Sequence, residues 1–240
     1  MATIKEFREI YGKNLNLVAL DKKHLNDMWE YSKDPRLYEF LEYKPFVDIK
    51  KLNEYFLLLE KKLKNNNYCF WFILDKASNK VIGSINTYSL DPNRNTCEIG
   101  FAISPSFWGK GVIDETLELV IDELIHYYDM NRVSAITYST NIRCIKKLLK
   151  YNFNIEGNLK DYYKDYKGVR HDAVLLALTK SKKPITNVLN NFFELDHNSS
   201  YNIAPNIMFD KLKLNKKSLN EMFHYSKDLK FFEFLEGEPH

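Results

Sequence analysis

Residues Cys97 to Tyr127 read CEIGFAISPSFWGKGVIDETLELVIDELIHY. The stretch opens with an apolar run at strand spacing (Ile99, Phe101, Ile103), breaks at Pro105 and passes Gly109-Lys110-Gly111. It then becomes an amphipathic helix. Leu117, Val120, Ile121, Leu124, Ile125 and Tyr128 recur at three- and four-residue steps, one face of a 3.6-residue period. A strand, a short glycine-containing loop and a helix N-terminus form an anion site. The first backbone N–H groups of a helix have no partner, and the helix dipole adds about half a positive charge there. Glycine at 109 and 111 removes the Cβ, so a pyrophosphate can come close to the backbone.

Spacing decides among the nucleotide folds that use this device. A Walker loop requires Gly-Lys followed by Ser or Thr, and here Gly111 and Val112 follow Lys110. A Rossmann fingerprint requires a third glycine three residues after Gly111, and that position is Asp114. Both fail. The run EIGFAISPSFWGKGVIDETL instead resembles the Q/R-x-x-G-x-G/A loop of the GNAT superfamily of N-acetyltransferases, which cradles the pyrophosphate of acetyl-CoA. The likeness is greatest to the branch containing the ribosomal-protein alanine N-acetyltransferases. Ser106 departs from the pattern, standing where the family usually has Gln or Arg.

A second stretch carries the same resemblance. Asn141-Ile142-Arg143-Cys144, with Asn152-Phe153 and Glu156-Gly157 behind it, is similar to the family's N-x-x-A/S, closing Gly-Phe and following Glu-Gly. Asn141 reads independently as the N-cap of a helix that follows a strand. Asn152 replaces the family's glycine, and Asn is the next-best residue in the left-handed conformation after a helix end. Cys144 replaces the small residue. Leu148 stands where the family often has the Tyr that protonates the leaving thiolate.

The resemblance implies a co-substrate, acetyl-CoA, and a set of residues for it. Backbone groups of Phe101, Ala102 and Ile103 would bind the pantetheine amides, in a gap opened by a bulge in that strand. Trp108, Gly109, Lys110, Gly111, Val112 and Ile113 would hold the pyrophosphate, and Asn141 would face the pantetheine arm. N-acetylation requires a base for the ammonium proton, a donor to the developing oxyanion and an acid for the thiolate. Glu98, two residues before Gly100 on the strand that reaches the thioester, is the candidate base; the bland alternative is a glutamate on a solvated face. Cys144 is the candidate acid, since an unperturbed thiol near pKa 8.5 can donate a proton. The alternative for Cys144 is a small buried thiol packed under the pantetheine. By the same resemblance Tyr31, Glu39 and Glu42 fall in the acceptor-binding region. Asp172 and Tyr162-Tyr163 lie where the branch gathers acceptor and sheet-closing residues.

The rest of the chain supplies the frame. With 45% hydrophobic and 28% charged residues over 240 positions, it has the composition of a globular protein. A net charge of +3 does not argue for nucleic acid or a membrane surface. No apolar run approaches the ~18 residues of a membrane helix, and MATIKEFREIYGKN has no signal-peptide character. Cys69, Cys97 and Cys144 lack metal-ligand spacing, so no metal site and a reducing cytoplasm are expected. A strand is expected at 15–20, then helices at 22–33, Leu37 to Glu42 and Ile49 to Lys64. Lysines on the last are interrupted by Glu54 and Glu60 and read as a solvated face. Period two then marks strands at 68–74, 81–90 and 97–103, with further strands at 133–138, about 153–166 and 169–179 and a helix at 141–151. The fold class is α+β, a mixed sheet of six to seven strands with a splayed central pair and flanking helices.

The C-terminal part repeats the beginning. Residues 182–199 are polar and Asn-rich, a linker in composition. LNKKSLNEMFHYSKDLKFFEFLE (214–236) matches LDKKHLNDMWEYSKDPRLYEFLE (20–42) without a gap, 14 of 23 positions being identical. Three segments are therefore expected: an acetyltransferase domain at 1–181, the linker, and at 200–240 an incomplete copy of the N-terminal strand-helix-helix that begins a second such domain. The function expected is direct acetyl transfer in a ternary complex to a small-molecule or peptide amine, the small molecule favoured. Neither nucleic acid nor membrane is expected as a partner, and a homodimer is left open. The rival is an inactive acyl-CoA-binding sensor or scaffold, which Ser106, Leu148 and Cys144 keep in play.

Overall fold

The structure, a computed structural model, describes residues 5–64 and 68–180, together with the backbone of 201–204 and 207–209. The chain divides into two units, Met1–Lys182 and Lys183–His240. In the second, the described part is an antiparallel hairpin of Tyr201–Ala204 and Ile207–Phe209. The repeat at 214–236 and the linker at 182–199 lie outside the described residues.

The first unit begins with β1 (Ile10–Tyr11) and β2 (Leu15–Ala19), then α1 (Leu25–Ser32) and α2 (Ile49–Leu63). A meander follows: β3 (Phe70–Asp75), β4 (Lys80–Asp91) and β5 (Thr96–Ile103). After it come α3 (Val112–Asp122), β6 (Arg132–Tyr138), α4 (Ile142–Lys150), β7 (Asn154–Lys164) and β8 (Arg170–Thr179). One sheet of eight strands results, in the order β1-β2-β3-β4-β5-β6-β8-β7. Every neighbouring pair is antiparallel except β5 and β6. The extra strand over the sequence expectation is the two-residue β1, too short to leave a period-two signature.

Alternation along β3 shows how the sheet separates two cores. Trp71 and Ile73 join Leu117, Val120, Leu124 and Leu148 under α3 and α4. Phe70 and Phe72 join Met28, Leu52, Phe56 and Leu59 under α1 and α2. On β5 the same alternation sends Cys97, Ile99 and Ile103 into the first core. Glu98, Gly100 and Ala102 are left facing a cavity on the other side.

Three boundaries differ from the sequence reading for physical reasons. The helix expected at Leu37 to Glu42 is a 3-10 turn at Pro35–Tyr38, started by Pro35 and by Asp34, whose carboxylate accepts from Arg36 N at 3.0 Å. The long helix from 112 ends its regular part at Asp122 and closes with a π turn at Glu123–Tyr127. There the buried Glu123 carboxylate holds Arg8 through two hydrogen bonds. The expected bulge in β5 lies instead on β4, where Tyr88 pairs Glu98 but Asp91 pairs Thr96, leaving one surplus residue on β4. Asn152 does adopt the left-handed conformation, at φ 62°.

Candidate active site

The loop after β5 is built from backbone. Pro105–Phe107 forms a 3-10 turn, and the indole of Trp108 donates to Ile103 O at 2.8 Å, folding the loop back on its own strand. Gly109 and Gly111 take φ of 77° and 79°, and a Cβ on either would meet nothing within 4 Å. Open space therefore lies above a left-handed pair that side chains rarely adopt. Gly111 is the N-cap of α3 and offers no side-chain oxygen, so the amides of Val112 and Ile113 begin the helix without a partner. These are the features a pyrophosphate needs, and acetyl-CoA fits the residues present.

The carboxylate of Asp114 in the first helical turn would repel such a ligand. It is neutralised: Lys147 and Lys150 donate to it at 2.8 Å and 2.6 Å, and Tyr151 Oη at 3.1 Å. Partial burial alone would raise its pKa, but these three donors outweigh that and hold it at about 2. Arg143 stands over the Trp108 ring at 5.1 Å and joins the same wall, supplying a cation beside the loop. Lys110, expected among the residues that hold the pyrophosphate, lies over Phe107 at 5.0 Å and is outside the cavity wall. Ser106 is exposed and also outside it.

Beyond the loop, β5 and β6 diverge. They pair only from Thr96–Arg132 to Glu98–Ser134, and past Glu98 that edge of β5 (Ile99 to Ile103) is unpaired among the described residues. Phe101, Ala102 and Ile103 line this wedge on one side, and Asn141 and Cys144 on the other. Asn141 caps α4, its oxygen accepting from Cys144 N at 3.3 Å while its nitrogen donates to Thr137 Oγ1 at 3.1 Å. Burial pushes the Cys144 thiol up to about 11 despite a hydrogen bond to Thr137. This favours the packing role for Cys144 over the acid role. A thiol near 11 gives its proton to an ordinary thiolate, near 8.5, against roughly 3 kcal/mol. Leu148 is fully buried in the core and cannot serve the site either.

Glu98 sits where the pairing of β5 with β6 ends. It lines the cavity, has no hydrogen-bond or ion-pair partner among the described residues, and burial raises its pKa. Around it the wall is aromatic. Tyr138 stacks on Tyr163 with centroids 4.6 Å apart, and Tyr43, Phe46 and Tyr55 pack together on the α2 side. The whole cavity is about 1120 Å³, more than the usual ~300–1,000 Å³ of a single small-molecule site. It has room for a thioester arm and an acceptor together.

Of the expected acceptor residues, Tyr31 and Glu42 line the cavity. Tyr31 is 5% exposed, and burial raises its hydroxyl pKa strongly. Glu42 is exposed at the rim and accepts from Lys164 N at 3.3 Å. Glu39 is exposed and outside the wall, because the short 3-10 turn does not carry it inward. Asp172 is also outside: its carboxylate accepts from Lys160 Nζ at 2.6 Å and Asp161 N at 3.0 Å, where the β7–β8 register shifts. Sequence reasoning passed over Ser84 and Asn86, which reach the cavity from β4. The available signal was two polar residues at i and i+2 on either side of the apolar Ile85 within the strand.

Residues 14–154 match the Acetyltransferase (GNAT) domain family. The chain is 26% identical over 171 residues to an uncharacterised N-acetyltransferase, p20, of Bacillus licheniformis, covering 71% of this chain and 96% of that protein. Its fold superposes on the ribosomal L7/L12 alpha-N-protein acetyltransferase RimL solved with CoA, at TM-score 0.65 and 19% identity over 72% of this chain and 98% of the other. A spermidine N-acetyltransferase from Vibrio cholerae, solved with CoA and spermine, superposes at 0.63 with 18% identity over 71% and 98%. At these identities the two structures show the fold alone. The family match joins the glycine loop, the open strand edge and the capped helix into one account: this chain belongs to the GNAT N-acetyltransferases, with acetyl-CoA as co-substrate.

Proposed function

We propose that the chain acetylates a small-molecule primary amine by direct attack on acetyl-CoA within a ternary complex. The observation that carries this reading is the meeting, in one cavity, of the glycine loop, the open edge of β5 and a partnerless carboxylate. The amides at the start of α3, with Arg143 beside them, hold the pyrophosphate. The free edge of β5 from Phe101 to Ile103 takes the pantetheine as an added strand, and a backbone N–H there faces the thioester oxygen. The ammonium group enters from the α1–α2 side and gives a proton to Glu98. The freed nitrogen attacks the carbonyl carbon, the C–S bond breaks, CoA leaves as thiolate, and the acylated nitrogen loses its second proton to solvent. Protonated Glu98 is then the strongest acid at hand to return a proton to that sulfur. Cys144 packs beneath the arm.

Thiol release measured against a panel of amines, with CoA affinity determined alongside, tests the proposal. Turnover on at least one amine, lost when Glu98 is replaced, is the expected result. Tight CoA binding with no thiol released on any amine would instead make the chain an acyl-CoA sensor. No helix among the described residues is long and apolar enough to cross a membrane. A second acetyltransferase domain continuing from the repeat at 214–236 remains part of this proposal, resting on sequence alone.

A further inference from the structure

Four buried side-chain polar atoms lack a hydrogen-bond partner among the described residues: Asn16 Oδ1, Tyr31 Oη, Asn86 Nδ2 and Tyr138 Oη. Three of them line the cavity. Tyr31, Asn86 and Tyr138 are 5%, 7% and 4% exposed. The Tyr31 hydroxyl faces Ser84 without reaching hydrogen-bond geometry. Unpaired buried polar groups are rare in folded proteins because each has lost its water without a replacement. Three in one cavity mark a place where a ligand supplies the partners.

Their position assigns them to the acceptor. Asn86 pairs across the sheet with Gly100, one two-residue step, ~7 Å, from the Tyr88–Glu98 pair. The Tyr88 ring lies over Gly100, where a Cβ would come within 2.7 Å of the ring carbon Cε2. Hydrogen-bonding groups and an aromatic platform thus stand directly beside the carboxylate that takes the amine proton.

Charge narrows the class further. On the described wall the carboxylates are Glu42, Glu98 and Asp114. Asp114 is neutralised by two lysines and Glu42 lies at the exposed rim, which leaves Glu98 alone inside. One carboxylate serves one ammonium group; a polyamine or an aminoglycoside would bring further cations to uncharged rings. The cations on the wall are Arg36, bound to Asp34 at 2.6 Å, Lys147, bound to Asp114, and Arg143, over Trp108 beside the glycine loop. None is left on the acceptor side for a carboxylate, so a free amino acid is a poor fit. The rings do fit an apolar or aromatic body. Phe46 lies 5.5 Å from Tyr55 on one wall, and Phe40 lies 6.1 Å from Tyr138 on the other.

We propose that the acceptor is a monoamine whose only charge is its ammonium group, on an aromatic or apolar body with a neutral hydrogen-bonding oxygen near the nitrogen. The class includes amides and esters of aromatic amino acids. The inference rests on the acetyltransferase reading for the direction from which the amine enters, but its test is binding. The full-length chain saturated with CoA is titrated calorimetrically with phenylalanine amide, phenylalanine and spermidine. Phenylalanine amide is expected to bind about tenfold or more tighter than either. Asn86→Ala, Tyr31→Phe and Tyr138→Phe should each weaken the amide roughly threefold to tenfold, with CoA affinity unchanged. The two Tyr→Phe changes keep the rings, so they carry the test if Asn86→Ala does not fold. Spermidine binding as tightly as the amide, no binding of the amide, or affinity within twofold of wild type in all three variants would overturn the inference. Thiol release separates it from the reading beneath it. Acetylation of spermidine alone sinks the acceptor class and keeps the enzyme; tight amide binding with no thiol released on any amine does the reverse.

Discussion

The two ends of the cavity are made from different material. At the loop end the chemistry belongs to backbone: amides at the start of α3, two left-handed glycines and a strand edge without a partner. At the acceptor end it belongs to side chains drawn from α1, the segment before α2, α2 itself, β4, β5, β6 and β7. The loop end is fixed by about fifteen consecutive residues and tolerates many side chains, since the groups that bind are common to all of them. The acceptor end is fixed by contacts between residues such as Tyr31 and Ser84 or Phe40 and Tyr138, far apart in sequence. One end can be kept through evolution while the other is rewritten. That is how a single fold serves many acceptors.

The strongest test of this contrast acts where the ends meet. Glu98→Gln should lower kcat about a hundredfold, the usual size of a general-base contribution, and leave CoA affinity unchanged. The pH profile gives a second readout. Only the ionised carboxylate accepts a proton, so the rate should climb with pH through the Glu98 pKa. Burial places that pKa above the ordinary carboxylate range, so the acidic limb should sit correspondingly high and flatten in the variant. Activity within threefold of wild type at every pH would leave Glu98 with a structural role alone.

Gly111→Asp tests the loop end. A side chain at φ 79° is strained, and the charge faces the pyrophosphate. The Kd for acetyl-CoA should rise at least about tenfold, ~1.4 kcal/mol, and the thermal midpoint should fall by the backbone strain alone, since no described neighbour lies within 4 Å of the new Cβ. An unchanged Kd would remove the loop from the co-substrate site.

The same contrast governs what could be read in advance. Phe101 to Ile103, Gly109, Gly111 and the Asn141 cap were legible because each belongs to a local pattern, a strand, a turn or a helix start, whose geometry follows from its own residues. Asn152 could be placed in the left-handed region for the same reason. Glu39 and Asp172 were misplaced because their roles depend on tertiary detail. Glu39 turns outward when the helix shortens to a 3-10 turn, and Asp172 is taken by Lys160 across a register shift. Cys144 lines the cavity but was read with the pKa of a free thiol, which burial in the packed structure raises.

Cys144 therefore provides a smaller and more discriminating measurement. Cys144→Ala removes the thiol and keeps the Asn141 cap, which uses only the backbone N–H of residue 144. Packing loss under the pantetheine should raise the KM for acetyl-CoA by less than about threefold, since one buried sulfur is exchanged for a small void, and kcat should hold. A fall in kcat of a hundredfold with KM unchanged would restore the thiol as the acid and show that the bound co-substrate lowers its pKa.

The smallest effect is expected from removing everything after Ser181. All the cavity walls come from residues between Met28 and Tyr163. The last strand of the sheet ends at Thr179, and Lys180 fastens that end, its amide donating to Asn131 O at 2.8 Å and its Nζ to Asp129 at 2.9 Å. The shortened chain should stay soluble and keep its CoA affinity and kcat within twofold. The copy at 214–236 gives the experiment its edge. Its Leu219, Met222, Phe223, Phe231, Phe232, Phe234 and Leu235 each stand to gain roughly 1.5–3 kcal/mol from burial, yet about forty residues are too few to bury them unaided. If the shortened chain precipitates or loses CoA affinity, the boundary at 181 is wrong. If it behaves as expected, every residue that the co-substrate site needs lies before that boundary.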